Sequence, residues 1–342
     1  MGNPYLNLMN LASRAAGYQL IARSAYESLL TSVATLDKGD VVHIHWTSPI
    51  AQPARNARAA RRRVDAVEEV LTDARRRGVR IVWTVHNRLP HELEYFQTEQ
   101  RLYEVLAEVS DVIHVMAPAT AELVSDVVAL PAEKIVQIPH PSYLGVYDSL
   151  VSREEARASF GLTDDDFAVL FLGQIRPYKG IDLLLESFAK IRRDDGRRPV
   201  LLLAGAASPE AIAQFDELRP EGIRSITSFE AVPDSDVARW YGAADVAVMP
   251  YRAILNSGSL HLSATMKVPA IVPGLPHLRE QFGMEPWVSF FDVDSPADSL
   301  ADLLSGDDRR SVLDEAVYDR FTDPISPWNV SLAYRDVLRR LA

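Results

Sequence analysis

The stretch LFLGQIRPYKGIDLLLESF, Leu170 to Phe188, decides the fold. It opens with a short apolar run of the buried-strand type, and Gly173 then allows the backbone to turn tightly. Arg176 and Lys179 bring positive charge to that turn, just before Gly180 and Asp182 open an amphipathic helix with Leu183, Leu184, Phe188 and Ile191 at helical spacing. A helix N-terminus with exposed amides and two nearby cations is an anion site, and a diphosphate is its natural guest. The same pattern also fits a basic, solvated strand-to-helix loop.

Working outward, the apolar periodicity alternates between strands and helices. Strands are expected at 41–45, 80–85, 111–115, 135–138, 168–172, 199–204, 223–227, 245–249, 270–273 and 288–291. Helical patterns fill 5–15, 54–78, 92–108, 118–128, 153–159, 182–194, 209–217, 234–243, 258–267, 276–283, 296–304 and 329–341. Strict alternation predicts an α/β protein with parallel sheets in doubly wound domains. A chain of 342 residues with 47% apolar content supports two packed cores. Pro139 and Pro141 stop the first pattern, and DSLVSREEARASFGL restarts it behind a capping serine, which predicts domains at 1–148 and 149–325 with a final helix in 326–342.

Several segments together resemble one superfamily. The quoted stretch is similar to the start of the donor domain in GT-B glycosyltransferases. GDVVHIHW (39–46), IVWTVHNRLPHE (81–92), SDVIHVMAPATAELV (110–124), KIVQIPHPSYLGVY (134–147), AADVAVMPY (243–251) and NSGSLHLSATMKVPAIV (256–272) resemble the same superfamily in the right order. The resemblance implies two Rossmann-like domains facing a cleft: an N-terminal acceptor-binding domain and a C-terminal domain that binds a nucleotide-sugar donor. The last helix would cross back to the first domain and take part in a hinge. GT-B chains usually begin with a strand, whereas GNPYLNLMNLASRAAG reads as a turn and helix. Many retaining members carry two glutamates near the donor; here His261, Leu262 and Ser263 stand near the place of the second. The Asn256-Ser257-Gly258-Ser259 form instead resembles bacterial polysaccharide or glycolipid mannosyltransferases.

The absence of cysteine removes disulfides, thiolate zinc sites and a cysteine nucleophile. Asn3, Asn7, Asn10 and Arg14 interrupt any targeting-type hydrophobic core at the N-terminus, and no apolar run reaches the roughly 18 residues of a membrane span. A net charge of −11 argues against general nucleic-acid binding. Residues 1–150 carry 15 basic and 17 acidic groups, so most of the negative excess lies beyond them. Within them, Arg55, Arg58, Arg61, Arg62 and Arg63 and then Arg75, Arg76, Arg77 and Arg80 bracket a helix with Val64, Val67, Val70 and Leu71 as its stripe. Two readings stay open: a solvated face paired with Asp65, Glu68, Glu69 and Asp73, or a 55–80 region that meets an anionic membrane or lipid-phosphate acceptor. The expected location is cytoplasmic, peripheral at the inner face of the membrane in the second case.

The site residues follow from strand ends and from the resemblance. His86 and Asn87 end a buried strand, and a histidine there has the pKa to take a proton from an acceptor hydroxyl, or it holds the loop. By resemblance His86 is the base of an inverting enzyme or a donor-sugar contact in a retaining one, and Trp46, Arg88 and His91 orient the acceptor. His91 and Glu92 are read as a helix start. His43 and His45 share a strand face without a carboxylate or third ligand at clear spacing, so no metal site is expected. Arg176 and Lys179 with Ser257, Gly258 and Ser259 would hold the donor diphosphate, while Gly173, Asn256, Phe229, Glu230 and Val232 would meet the donor sugar or nucleobase. No cofactor is implied beyond the nucleoside-diphosphate sugar as co-substrate. The reading is a hexosyltransferase, with mannose as a plausible hexose, acting on a hydroxyl of a glycan, glycolipid or small molecule. The alternatives are a non-catalytic sugar-nucleotide or glycan-binding GT-B protein and a GT-B nucleotide-sugar epimerase.

Overall fold

The computed structural model describes residues 4–147, 151–306 and 309–341. The chain divides into two compact units, Met1–His140 with Pro327–Ala342, and Pro141–Ser326. The boundary expected at 148–149 falls on residues outside the described ones.

The first unit holds a four-stranded parallel sheet of β1 (Val41–Ile44), β2 (Arg80–Thr84), β3 (Val112–Val115) and β4 (Ile135–Gln137), adjacent in chain order. The helix Ala57–Arg76 follows β1 and is capped by Asn56, whose side chain accepts from the Ala59 amide at 2.9 Å. Its buried stripe is Ala60, Val64, Val67, Leu71 and Ala74, so the small residues Ala60 and Ala74 complete a stripe in which Val70 stays half-buried. The chain opens on two short helices, Pro4–Met9 and Leu11–Ala15. The helix Pro327–Leu341 lies in this unit and packs on both of them, the Ala12 amide donating to Ser331 Oγ at 3.2 Å.

The second unit holds six parallel strands: β5 (Asp166–Leu172), β6 (Arg198–Ala204), β7 (Arg224–Ser228), β8 (Val246–Val248), β9 (Ala270–Pro273) and β10 (Val288–Phe291). Their order is β10-β9-β8-β5-β6-β7. The chain therefore runs outward from β5 to β7, returns to β8 beside β5, and runs outward the other way. β5 and β8 flank the topological switch point, where open α/β sheets bind ligands at the carboxyl ends of the strands. Phe167 to Phe171 and Val200 to Ala204 are buried throughout, as expected of strands covered by helices on both faces.

All ten expected strands are present, with ends shifted by a residue or two. The helices differ more. The helix after β2 begins at Phe96, not at residue 92, so His91 and Glu92 lie on an irregular loop; LPHELE offers no run of apolar residues at helical spacing. The pattern at 118–128 gives only the short helix Thr120–Leu123. The helix Tyr26–Val33 was not legible, since its only fully buried residue is Val33.

Candidate active site

In the second unit, the loops after β5 and β8 meet at the switch point. Gly180 has φ +69°, and a Cβ there would stand 2.0 Å from the Pro250 carbonyl oxygen, so only glycine lets the two loops approach this closely. Gly205, after β6, likewise leaves room for the Gly173 carbonyl, 2.0 Å from where its Cβ would be. Arg252 ties the turn Pro177–Lys179 down: its amide donates to Tyr178 O at 2.9 Å, its guanidinium to Pro177 O at 2.9 Å, and it pairs with Asp182.

This packing sets Lys179 Nζ 3.7 Å from the centroid of the Tyr251 ring, at the end of β8. The Tyr251 hydroxyl donates to Ser259 Oγ at 3.1 Å. Lys179 and Ser259 thus belong to one cluster, bridged by a tyrosine that the sequence did not single out. Ser257 caps the helix Gly258–Thr265, accepting from the Leu260 amide at 3.2 Å, and its carbonyl accepts from His261 Nδ1 at 2.9 Å. His261 is a buried structural histidine among Phe282 and Phe321, and burial lowers its pKa to about 4. Asn256 is half-buried just before the cap.

The structure divides the two cations of the β5 loop. Arg176 lines a cavity of about 380 Å³ between the helices Ile181–Lys190 and Pro209–Leu218, with Phe215 and Ala206 in its apolar wall and Asp182 and Arg252 at the same site. Phe229 backs that wall edge-on to Phe215 at 5.4 Å between ring centroids, while Glu230 is exposed and Val232 half-buried on the loop that follows.

In the first unit, residues that follow β1 and β2 converge. His45 Nδ1 lies 3.0 Å from His86 Nε2, and Trp46 stacks on His86 with centroids 4.5 Å apart and planes 18° from parallel. Tyr5, from the first helix, sets its ring edge on His86 at 5.2 Å and lies 5.2 Å from His140. Burial first, and the imidazoles of His45, His114 and His140 after it, hold His86 well below its ordinary pKa. Arg88 stands on the next loop in an ion pair with Asp126, and His91 is exposed there.

Behind this cluster runs a buried chain of hydrogen bonds whose direction one carbonyl fixes. Ile138 O can only accept, so His114 Nε2 donates to it at 2.8 Å and His114 Nδ1 accepts from the Thr84 hydroxyl at 2.9 Å. Thr84 Oγ1 in turn accepts from His43 Nε2 at 2.7 Å, and His43 Nδ1 accepts from the Tyr334 hydroxyl at 2.5 Å. Every ring in the chain is neutral: burial lowers His114 to about 4, and burial with the neighbouring His114 and His86 holds His43 far below its usual value. His43 is therefore a link between the sheet and the last helix, its ring centroid 3.8 Å from that of His45 with the planes tilted by 35°. Among the described residues no group of three or more His, Asp or Glu side chains is placed to hold a metal ion.

Residues 166–305, from β5 to the helix after β10, match the family of glycosyl transferases group 1. The second unit matches a group 1 glycosyltransferase domain, and the chain has the GT-B fold. Its fold resembles that of Anabaena Alr3699/HepE, solved with UDP and glucose, with a TM-score of 0.67, 13% identity, and coverage of 92% of this chain and 81% of that one. Sucrose-phosphate synthase from Thermosynechococcus elongatus gives a TM-score of 0.68 at 17% identity over 92% of this chain and 77% of its own. By sequence, this chain is 23% identical over 278 residues to a GDP-mannose:glycolipid 4-beta-D-mannosyltransferase of Xanthomonas campestris pv. campestris, covering 79% of this chain and 72% of that protein. It is 34% identical over 173 residues to a D-inositol 3-phosphate glycosyltransferase of Saccharomonospora viridis, of which it spans 40%.

Proposed function

We propose that this glycosyltransferase moves a hexose, with mannose the first candidate, from a nucleoside diphosphate to a hydroxyl of a glycolipid or glycan. The observation that carries the reading is the convergence of Lys179, Tyr251 and Ser259 at the N-terminus of the helix Gly258–Thr265, beside the β5–β8 switch point. A departing diphosphate needs positive charge and amide donors fixed before the bond breaks, and this cluster supplies both. Lys179 and the first-turn amides of Gly258 and Ser259 hold the leaving group, and Arg176 holds the donor from the cavity side. Gly173 and Asn256 border the donor sugar, and Phe229, Glu230 and Val232 the nucleobase. The similarity to a GDP-mannose enzyme with a glycolipid substrate supports the choice of sugar and acceptor.

On the acceptor side, His86 takes the proton of the attacking hydroxyl if the enzyme inverts and contacts the donor sugar if it retains. Trp46 offers an indole beside it, with Arg88 and His91 on the next loop to orient the acceptor. The exposed arginines of the 55–80 region hold the protein at the inner face of an anionic membrane, where a lipid-linked acceptor resides. No helix among the described residues is long and apolar enough to cross a membrane.

The test is turnover across a panel of nucleoside-diphosphate hexoses with glycolipid and soluble acceptors. Transfer of sugar to an acceptor supports the reading. Tight donor binding without transfer or hydrolysis would instead identify a binding protein, and interconversion of the nucleotide sugar would identify an epimerase.

A further inference from the structure

His43 and His45 stand two residues apart at the end of β1, and the structure brings their rings together. His43 is held at both nitrogens, Nε2 donating to Thr84 Oγ1 at 2.7 Å and Nδ1 accepting from the Tyr334 hydroxyl at 2.5 Å. His45 packs against that fixed ring and sets its own Nδ1 3.0 Å from His86 Nε2. Two further rings close in on the pair. Trp46 stacks on His86 at 4.5 Å and lies 5.6 Å from His45, and Tyr5 stands nearly perpendicular to both imidazoles, 6.1 Å from His45 and 5.2 Å from His86. Packing on several sides fixes the orientation of both histidines.

A neutral imidazole carries one N–H and one lone pair, so a contact between Nδ1 of one ring and Nε2 of the other holds a single proton between them. Two arrangements satisfy the distance. If His45 donates from Nδ1, the lone pair of His86 is spent on His45, and His86 has only an N–H to offer a substrate. If His86 donates from Nε2, its lone pair lies on Nδ1 and can accept from a hydroxyl. Both rings are neutral, because burial first, and neighbouring imidazoles after it, hold each well below its ordinary pKa. The titratable groups around the pair are Tyr5, His43, His114 and His140, with Tyr334 behind His43. The imidazoles among them disfavour positive charge on His86, so a proton captured there gains from a neutral ring that accepts at Nε2–H.

We propose that His45 is a positioning residue for His86: its Nδ1 accepts the proton that His86 carries on Nε2, which places the lone pair of His86 on Nδ1 for a substrate hydroxyl. The inference rests on the reading of His86 as the group that meets the substrate. In an inverting reaction the acceptor O–H bond breaks and its proton goes to His86 Nδ1. The freed oxygen pair forms the bond to the anomeric carbon, and the bond pair from that carbon leaves with the diphosphate. His45 then supports the resulting imidazolium through the same hydrogen bond. In a retaining reaction the lone pair on Nδ1 accepts a hydrogen bond from a hydroxyl of the donor sugar, and no proton moves. His45 thus does what a carboxylate does behind the histidine of a hydrolytic triad, fixing tautomer and orientation, but without a charge.

Two measurements on the full chain test it. Long-range proton–nitrogen NMR of histidine-labelled wild type at neutral pH reads the tautomer directly, with the His86 signals identified by their loss in His86→Gln. His86 should carry its proton on Nε2. Kinetics on three variants read the consequence. His45→Leu has no acceptor and should lower kcat by about tenfold or more with the donor KM little changed. His45→Asn puts a carboxamide oxygen near the place of Nδ1 and should recover most of that loss. His45→Asp puts a negative charge beside His86, which favours its protonated form, so the acidic limb of the pH–rate profile should move up by about one pH unit or more. An Nδ1–H tautomer on His86, full activity in His45→Leu, equal losses in the leucine and asparagine variants, or an unmoved limb in His45→Asp would each overturn the role of His45 while His86→Ala remains impaired. If His86→Ala turns over like the wild type, the reading of His86 itself falls, and the inference with it.

Discussion

Lys179 Nζ sits 3.7 Å from the centroid of the Tyr251 ring, and through that ring the β5 loop and the helix after β8 share one cluster. The ring holds the ammonium by its face and Ser259 by its hydroxyl. Lys179→Ala should therefore cut kcat by about a hundredfold, as expected when a charge that stabilises a leaving group is lost. Tyr251→Phe keeps the face and loses only the hydroxyl, so its effect should be about tenfold or less. Initial-rate kinetics on both variants check this; equal losses would mean that the hydroxyl matters as much as the cation.

Gly180→Ala should disable the site from the backbone. With φ at +69° and the Pro250 carbonyl 2.0 Å from the new Cβ, the turn that carries Lys179 has to move. The expected outcome is a loss of about 2 kcal/mol or more in stability, from strain and displaced packing, together with loss of turnover. Urea unfolding and donor binding measure the two parts.

The pH dependence of turnover tests His86. Burial, with His45 next, holds its pKa well below 6.5, so the ring is neutral and ready to accept a proton throughout the neutral range. The acidic limb of the pH–rate profile should lie well below pH 6.5, and His86→Ala should remove it while lowering turnover, with little change in donor affinity. An unchanged profile in the variant would leave His86 a structural residue.

Thr84 is the only hydroxyl between two imidazoles in the buried chain from Tyr334 to Ile138. Thr84→Val is close in shape and leaves the His43 donor and the His114 acceptor buried without their partner. Stability should fall by about 1–3 kcal/mol, the cost of stranding buried polar groups. Chemical denaturation measures it; a neutral result would mean that the histidines re-pair.

Acid should destabilise the fold before the carboxylates titrate. His114 and His261 have folded pKa values of about 4 against about 6.5 when unfolded. Between those values the unfolded chain binds more protons, so the stability that is complete above pH 6.5 drains away as the pH falls toward 4. Urea midpoints at pH 7.5 and pH 5 should differ in that direction, and His261→Gln should lessen the difference if it folds.

All ten strands were readable because a buried parallel strand is a short, nearly continuous apolar run, and each run here is bounded by turn residues or a helix start. Gly173, Lys179 and Ser257 to Ser259 were readable because a turn glycine, a cation and a helix cap are local chemistry. Helix starts were less readable, as residues 91–95 show, because capping and loop packing depend on partners such as Gln52, distant in sequence.

The sequence by itself determined the alternation of strands and helices, the glycine turn and the helix cap, since each arises from interactions a few residues apart. The tertiary structure alone decided which of these residues act together. The return of the chain to place β8 beside β5 sets Tyr251 between Lys179 and Ser259, and the packing of the last helix on the first unit brings Tyr334 to His43, 291 residues away. Side chains that distant carry no shared periodicity. Only the burial of their elements against a common sheet fixes their contact.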